Sequence, residues 1–281
     1  MKGDLHDRTI LITGANTGIG LAAARELARR GARLVLACRS EAKTQPAIDG
    51  IKRDTGNDAV EFLALDLADL ASVRAGAQRF LAGGASLHVL INNAGVAGQR
   101  GITKDGFELA FGVNHLGHFL LTQLLLDRIR ASAPARIVSV SSAAHPQAKG
   151  IDFAALRQRT PSFAGLSEYA VSKLCNVLFT QELARRLDGT GVTTYAVHPG
   201  VIASDIWRRI PSPFREIYMR VARMKTTEEG ARPLVLCATA PELAERSGGY
   251  YHECREGRPS RVATPALAGQ LWEQSLAWTQ A

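Results

Sequence analysis

Short apolar runs alternate with longer helical patterns from one end of the chain to the other. The apolar runs have the length and composition of buried strands and cover residues 9–13, 33–38, 60–65, 88–92, 136–140 and 193–198. Helical patterns such as 21–30, 107–130 and 169–187 lie between them, and residues 249–252 predict a last short strand. This alternation predicts one doubly wound α/β domain over residues 1–281, with about seven parallel strands and helices on both faces.

Charge and hydropathy narrow the classes of partner. The formal net charge is +8, but the arginines are scattered and no basic tail accompanies them, so we expect a solvated surface and no nucleic-acid partner. No apolar stretch approaches the roughly 18 residues that a membrane span needs, and the start Met1-Lys2-Gly3-Asp4 is polar. We therefore expect no membrane span and a cytoplasmic location. A homo-oligomer is compatible with the sequence.

Cysteines and histidines give no metal-ligand pattern. The four cysteines are far apart and form no C-x-x-C pair, so we expect buried free thiols at Cys38, Cys175, Cys237 and Cys254. The histidines form no cluster with carboxylates at ligand spacing. We expect packing or hydrogen-bonding roles, and no metal, for His115, His118, His145 and His198.

A glycine-rich turn follows the first predicted strand. Glycines at a strand-to-helix turn let the backbone approach a pyrophosphate, and the helix N-terminus adds free N–H groups and the positive end of its dipole. The spacing G-x-x-x-G-x-G differs from the G-x-G-x-x-G fingerprint, so an ordinary tight turn is the alternative. The predicted phosphate-binding residues are Gly14, Asn16, Thr17, Gly18, Ile19 and Gly20.

The second predicted strand ends in Cys38-Arg39. An NAD enzyme places a carboxylate about 20 residues after the glycine loop to bind the ribose 2′-hydroxyl. Cys38 cannot repel a 2′-phosphate, and Arg39 can bind one with a planar fork of donors. The sequence therefore predicts NADP(H) rather than NAD(H). In the alternative, Arg39 is a surface charge and Glu41 binds the ribose.

Tyr169 and Lys173 lie four positions apart in a helical pattern, which puts both on one face. A phenol with a pKa near 10 is a poor base at neutral pH. A cation at about 4 Å contributes roughly 4 kcal/mol at an effective dielectric near 20, which lowers the phenol pKa by about three units. The pair therefore predicts a general acid/base at Tyr169, although Y-x-x-x-K alone occurs in many helices.

Further polar groups fall in order along the chain, most of them at or just beyond the end of a predicted strand. They are Asp66-Leu67, Asn93-Ala94-Gly95, Asn114 on a helix, Ser141-Ser142 and Pro199-Gly200. Ligands in doubly wound folds bind at the carboxyl ends of the strands. The ordered set of motifs therefore predicts one cofactor and catalytic site.

With these motifs the chain resembles the short-chain dehydrogenase/reductase family. Residues 12–20, 36–39, 112–119 and 172–174 resemble its retinol dehydrogenase-like branch. The resemblance implies a Rossmann-type fold with a cofactor-binding core at about 9–204. It also implies an NADP(H)-linked oxidoreductase that interconverts a carbonyl and an alcohol on an apolar retinoid, steroid or lipid substrate. Many members of that branch carry an N-terminal anchor, whereas the first strand here begins soon after Met1.

The resemblance also implies individual roles. Asp66 would lie by the adenine, with Leu67 beside it, and the backbone of residues 93–95 would border the cofactor. Asn114 would hold a water that connects Lys173 to solvent, and Ser142 rather than Ser141 would orient the substrate. Cofactor contacts after the sixth strand would come from Pro199, Gly200, Val201, Ile202 and Ser204.

Residues 203–224 follow the last of these motifs. Ser212 and Pro213 can begin a helix, and Phe214, Ile217 and Val221 then follow at helical spacing. We predict a lid over an apolar substrate, with Trp207, Phe214 and Ile217 as substrate contacts. A fixed core helix and a helix resting on a membrane surface are the alternatives.

Two other functions compete with the oxidoreductase. A nonenzymatic NADP(H)-binding regulatory protein on the same fold would keep the glycine loop but lose the catalytic side chains, and all four of these are present: Asn114, Ser142, Tyr169 and Lys173. A nucleotide-sugar epimerase or dehydratase usually has a longer substrate domain after Pro199-Gly200. The sequence therefore favours the oxidoreductase.

Overall fold

A computed structural model describes residues 3–200 and 225–280. Its strands form one sheet in the order β3-β2-β1-β4-β5-β6-β7-β8. All neighbouring strands are parallel except the last pair, β7 and β8. The strands are β1 Thr9–Thr13, β2 Arg33–Cys38, β3 Val60–Ala64, β4 Val89–Asn92, β5 Ala135–Val140, β6 Val192–His198, β7 Gly249–His252 and β8 Arg255–Gly257.

Helices cover both faces of the sheet. Those described are α1 Gly18–Arg29, α2 Glu41–Thr55, α3 Leu70–Ala82, the short α4 Leu109–Phe111, α5 Gly117–Ala131, α6 Leu166–Arg186, α7 Thr227–Thr239 and α8 Pro265–Gln280. A π-helical turn, Gly112–Leu116, joins α4 to α5. Because side chains alternate along a strand, Ile10 and Ile12 pack into one core with α1 and α7, while Leu11 packs into the other with α3, α5 and α8. Burial on both faces explains the continuous apolar runs.

The predicted fold class is confirmed, with one addition. The parallel strands lie within about a residue of the predicted ranges. The eighth strand, β8, is a three-residue antiparallel edge of mostly exposed residues, and no apolar run marks it in the sequence. The expectation of buried thiols was wrong for Cys254, which is exposed in the turn before β8.

One helical segment contradicts the expectation that no apolar stretch is long enough to span a membrane. The continuous segment Leu109–Ala131 has the length and mean hydropathy, 1.3, of a helix that could cross a membrane. However, 78% of its most apolar window is buried inside the fold. Its side chains pack against α3, the sheet and α8, which is the environment of a core helix.

The C-terminal helix α8 closes the core on one face. The Trp272 ring lies 5.1 Å from Phe119 and stacks on Phe179 at 6.0 Å. The Trp278 ring contacts Phe107 at 5.2 Å between centroids, and Phe153 approaches it at 6.4 Å. Both tryptophans therefore dock the last helix onto the core, and Phe153 packs on Trp278.

Candidate active site

The strand order brings the predicted motifs to one edge of the sheet. Strand β1 lies beside β4, so the sheet reverses its order of connection there. The turns after β1, β4, β5 and β6 carry the glycine loop, residues 93–95, residues 141–142 and residues 199–200. Since the carboxyl ends of parallel strands meet at one edge, these turns line the crevice where ligands bind in doubly wound sheets.

The glycine loop is packed so closely that only glycine fits at two of its positions. A Cβ at Gly14, which has a φ of +64°, would come within 2.8 Å of the Ala94 Cβ. At Gly20 it would lie 2.5 Å from the Asn93 Nδ2 and 2.7 Å from the Gly14 carbonyl oxygen. Gly18, with a φ of +59°, faces open space instead. These positions hold the loop against the β4 turn and leave room above it.

The N-terminus of α1 is open to a ligand. Thr17 is its N-cap residue, and its side chain makes no capping hydrogen bond to the helix. The first turn therefore presents backbone N–H groups that no capping side chain satisfies, at the positive end of the helix dipole. This arrangement, together with the space beside Gly18, fits the pyrophosphate of a dinucleotide.

Thr13 and His118 belong to this site, although the sequence reasoning did not assign them to it. The Thr13 Oγ1 accepts the backbone N–H of Asn93 at 2.9 Å and of Ala94 at 3.0 Å. Its own proton goes to the His118 Nε2 at 2.8 Å, which is much closer than the other available acceptor, the Ile91 carbonyl at 3.4 Å. The His118 Nδ1 then donates to the Asn114 carbonyl at 3.0 Å. In the sequence, Thr13 is marked only as a polar residue at the end of an apolar strand, and His118 only as a histidine within an apolar helix.

Asn93 adds a second link between the two turns. Its Nδ2 donates to the Thr13 carbonyl at 2.8 Å and to the Gly14 carbonyl at 3.2 Å. The side chain of Asn93 thus holds the glycine loop, whereas only the backbone of residues 93–95 was expected to matter.

Arg39 extends from the end of β2 into solvent. Its side chain is exposed, and within residues 3–200 and 225–280 it makes no hydrogen bond or ion pair. Cys38 is buried and its thiol points to the Asn16 Oδ1 at 3.7 Å, so no carboxylate occupies that position. Ser40, the N-cap residue of α2, makes no side-chain cap, and Glu41 follows it in the first turn. An anion beside Arg39 would meet a second uncapped helix N-terminus.

Asp66 and Leu67 form the turn after β3. The Asp66 carboxylate accepts the Ala68 N–H at 3.0 Å, and the Asp66 N–H donates to the Ser72 Oγ at 3.0 Å. Leu67 is buried against α5, where a Cβ on Gly117 would lie 2.6 Å from its carbonyl oxygen. Asp66 stays partly exposed at the crevice, and Leu67 holds the turn in place.

Lys173 is almost fully buried, with 3% of its surface exposed. Its Nζ donates to the Val140 carbonyl at 2.9 Å and lies 5.6 Å from the centre of the Tyr169 ring. Burial lowers the pKa of Lys173 from 10.5 to about 7. A Cβ on Gly95 would come within 3.5 Å of the ammonium, so Lys173 also borders the β4 turn.

Tyr169 differs from the expectation in its pKa. Burial raises the pKa of the phenol above 10, and a hydrogen bond with Ser142 lowers it by a smaller amount. The expectation was that Lys173 would lower this pKa from about 4 Å. Instead, the ammonium is turned to the Val140 carbonyl, and desolvation of the phenolate is the larger effect. Tyr169 therefore keeps its proton at neutral pH in this state of the protein.

The two serines after β5 have different environments. Ser141 is buried, and its hydroxyl donates to the Lys173 carbonyl at 2.9 Å, which ties β5 to α6. Ser142 is partly exposed, and its side chain bonds to Tyr169. Of the two hydroxyls, that of Ser142 reaches the open part of the crevice.

Asn114 lies in the π-helical turn and is fully buried. Its Oδ1 accepts the Val96 N–H at 2.8 Å, and its Nδ2 donates to the Val96 carbonyl at 3.0 Å and to the Ser172 Oγ at 2.9 Å. The hydrogen bonds of the Asn114 side chain thus join the β4 turn to α6. The atom that can bind a water is the backbone carbonyl, which His118 already approaches.

Of the cofactor contacts predicted after the sixth strand, the structure describes only Pro199 and Gly200. Pro199 is buried, and Gly200 has a φ of +96° at the end of β6. The predicted lid 203–224 and its neighbours lie outside the described residues: Val201, Ile202, Ser204, Trp207, Phe214 and Ile217. Among the described residues, no group of three or more His, Cys, Asp or Glu side chains is placed to hold a metal ion.

Known proteins resemble the chain over most of its length. The short chain dehydrogenase family model matches residues 8–213. Retinol dehydrogenase 12 of Mus musculus is 49% identical over 279 residues, which is 95% of this chain and 85% of the relative. The crystal structure of an uncharacterized protein from Mycobacterium Paratuberculosis matches with a TM-score of 0.80 at 34% identity, covering 99% of this chain and 96% of that one.

A further solved structure comes from Beutenbergia cavernae and is described as an NAD(P)-dependent gluconate 5-dehydrogenase with bound NADP at low occupancy. It matches with a TM-score of 0.72 at 26% identity, covering 89% of this chain and 96% of that one. The family match, the relatives and the geometry agree. The chain belongs to the short-chain dehydrogenase/reductase family, as a retinol dehydrogenase-like oxidoreductase of carbonyl and alcohol groups.

Proposed function

We propose that this protein interconverts a carbonyl and an alcohol on an apolar substrate of retinoid, steroid or lipid type, with NADP(H) as cofactor and Tyr169 as general acid/base. The observation that carries the proposal is the meeting of Tyr169, Ser142 and Lys173 beside an open glycine loop. The similarity to retinol dehydrogenase 12 supports the substrate class.

The described side chains divide the work of the reaction. A nicotinamide supplies or accepts the hydride when it is bound. Tyr169 holds a proton at neutral pH, which is the form that donates to a carbonyl oxygen during reduction. Ser142 presents a hydroxyl to the same oxygen, while Asn114 joins the β4 turn to α6 beneath them. Lys173 places a titrating ammonium within 5.6 Å of the Tyr169 ring, where it can return the proton.

The preference for NADP(H) rests on Arg39. It is an exposed cation without a carboxylate partner among the described residues, at the end of the strand next to β1. A guanidinium free of other partners can turn its donors to a 2′-phosphate. The structural relative solved with bound NADP supports the same cofactor.

The test compares the wild-type protein with Tyr169→Phe in an NADPH-oxidation assay against retinal, steroid ketones, long-chain aldehydes and small aryl ketones. Tyr169→Phe should lower kcat by at least about a hundredfold, with unchanged NADPH affinity, because only the proton-transfer group is removed. The matched control is Tyr251→Phe, since the buried Tyr251 hydroxyl has no hydrogen-bond partner among the described residues. Near-normal turnover in Tyr169→Phe would exclude the proposed acid/base.

A further inference from the structure

Ser142 lies in a turn that fixes both of its oxygen atoms. The Ala144 N–H donates to the Ser142 Oγ at 3.2 Å. The carbonyl of Ser142 accepts two hydrogen bonds from one residue, the His145 backbone N–H at 3.1 Å and the His145 Nδ1 at 2.7 Å. His145 is 1% exposed, so its ring cannot exchange these contacts for water.

Backbone partners determine which nitrogen of His145 carries the proton. A carbonyl oxygen can only accept, so the Nδ1 facing Ser142 must be protonated. On the other side of the ring, the backbone N–H of Ser260 lies 3.0 Å from the Nε2. An amide N–H can only donate, so Nε2 must be unprotonated. His145 is therefore neutral, with its proton on Nδ1, and burial lowers its pKa in agreement with that form.

This arrangement directs the Ser142 hydroxyl. The Ser142 oxygen accepts the Ala144 N–H, which leaves its own proton available to a partner outside the turn, such as Tyr169 or a ligand in the crevice. A hydroxyl that donates there can hold a carbonyl oxygen of a substrate next to the phenol. The position of that donor depends on the turn, and the turn is anchored through the His145 ring.

The His145 ring also connects the Ser142 turn to the C-terminal part of the chain. Ser260 lies between β8 and α8 in a folded turn, where its carbonyl accepts the Ala263 N–H at 2.9 Å. The His145 ring also packs on Tyr250 of β7, with 4.8 Å between the centroids. Packing on Tyr250 alone would need an aromatic ring but neither nitrogen.

We propose that His145 is a positioning residue for the reaction, which sets the Ser142 hydroxyl as a donor and couples it to the C-terminal segment at Ser260. The inference rests on the proposed function, in which Ser142 holds the substrate oxygen.

Three variants separate the parts of this arrangement. His145→Phe keeps a ring against Tyr250 but no polar atom. His145→Asn places an amide N–H near the Nδ1 position and can still donate to Ser142. His145→Gln reaches toward Ser260 and leaves the Nδ1 position without a donor. The readouts are kcat, KM, the NADPH dissociation constant and the melting temperature, with kcat measured well below melting.

His145→Phe should lower kcat by about ten- to a hundredfold, because a misplaced catalytic group loses rate steeply. The NADPH dissociation constant should change less than about twofold, since no cofactor-loop contact is removed. His145→Asn should recover most of the lost kcat, and His145→Gln should not. Unchanged kcat in His145→Phe, or an Asn variant no better than Phe, would overturn the proposal.

A measurement on the unmodified protein reports the protonated nitrogen directly and needs only one variant, for assignment of the His145 signal. Imidazole nitrogen NMR spectra, with His145 assigned by its absence from the His145→Asn spectrum, should show the proton on Nδ1 at neutral pH. A proton on Nε2 would overturn the proposal. If Tyr169→Phe keeps its turnover, the proposed function fails; if Tyr169→Phe loses turnover while His145→Phe keeps it, only the present inference fails.

Discussion

At the scale of single residues, Lys173 shows how the site and the stability of the fold oppose each other. Its folded pKa of about 7 lies below its ordinary value of 10.5. Below pH 7 both folded and unfolded chains carry the charge, and the folded state bears the full cost of burying it. Between about pH 7 and 10.5 the unfolded chain binds more protons, so the cost is relieved and stability rises with pH.

Lys173→Met should therefore stabilise the protein while abolishing turnover. At about 1.4 kcal/mol per pKa unit, the relieved burial amounts to a few kcal/mol at pH 6. The Val140 carbonyl keeps a donor, because the Asn176 Nδ2 also bonds to it at 2.9 Å. Thermal unfolding measured from pH 6 to pH 10 should show a gain that shrinks as pH rises. The exposed Lys149→Met is the control, and a variant less stable at pH 6 would contradict this account.

Arg39 carries the second prediction at this scale. Arg39→Asp should raise the NADPH dissociation constant by roughly ten- to a hundredfold, since a charge-assisted hydrogen bond contributes about 1.5–3 kcal/mol. NADH affinity should change little or improve, because its ribose hydroxyls can bond to a carboxylate. Arg33→Asp makes the same change of charge at the opposite end of β2, where it also breaks an ion pair with Glu61 at 3.2 Å; as a control it should leave NADPH affinity unchanged. Equal affinities of wild type and Arg39→Asp for both cofactors would place the 2′-phosphate elsewhere.

The predictability of the site also differs from residue to residue. The glycine loop and the Tyr169/Lys173 pair follow from local spacing, because a turn and a helix face fix their geometry. The contacts of His118 and His145 do not, since they join residues 105 and 115 positions apart in the chain. Nor does the raised pKa of Tyr169, which depends on how deeply the folded chain buries the ring.

At the scale of elements, the sequence predicted the parallel strands better than the irregular parts. A parallel strand buried on both faces requires an apolar run, so β1 and β6 are visible in the sequence. The edge strand β8 needs only backbone pairing with β7, and its side chains are mostly exposed. The π-helical turn Gly112–Leu116 has no distinct residue pattern, because it differs from an α-helix by a shift of backbone hydrogen bonds.

The docking of α8 can be tested through Trp272, which is 5% exposed and packs on Phe119 and Phe179. Trp272→Ala should lower the free energy of unfolding by about 3–5 kcal/mol, because it leaves a cavity between α8 and α6. Trp272→Phe should cost less, since within residues 3–200 and 225–280 the buried indole Nε1 has no hydrogen-bond partner to lose. The exposed Gln270→Ala is the control on the same helix. Equal stability of the Trp272→Ala and Gln270→Ala variants by urea denaturation would show that α8 is not part of the core.

At the scale of the whole molecule, the segment Leu109–Ala131 has a composition that suits either a protein core or a membrane span. A core helix of a large α/β fold and a membrane span both need a long apolar stretch. The fold separates them, because α3, α6 and α8 cover this segment and His115 within it bonds to the Ser275 Oγ at 3.0 Å. A lipid-facing helix would lose these protein contacts.

We therefore predict that this 281-residue chain folds without detergent and does not use Leu109–Ala131 as an anchor. Expressed in cells and extracted with alkaline carbonate, it should leave the membrane fraction, because peripheral contacts break under that treatment while a spanning helix stays inserted. Protein purified without detergent should unfold in one cooperative transition, and NADPH at about 100 times its dissociation constant should stabilise it by about 2.7 kcal/mol. Retention in the carbonate-washed membranes, together with aggregation in detergent-free buffer, would mean that the segment serves as a span and that the buried packing around His115 does not form.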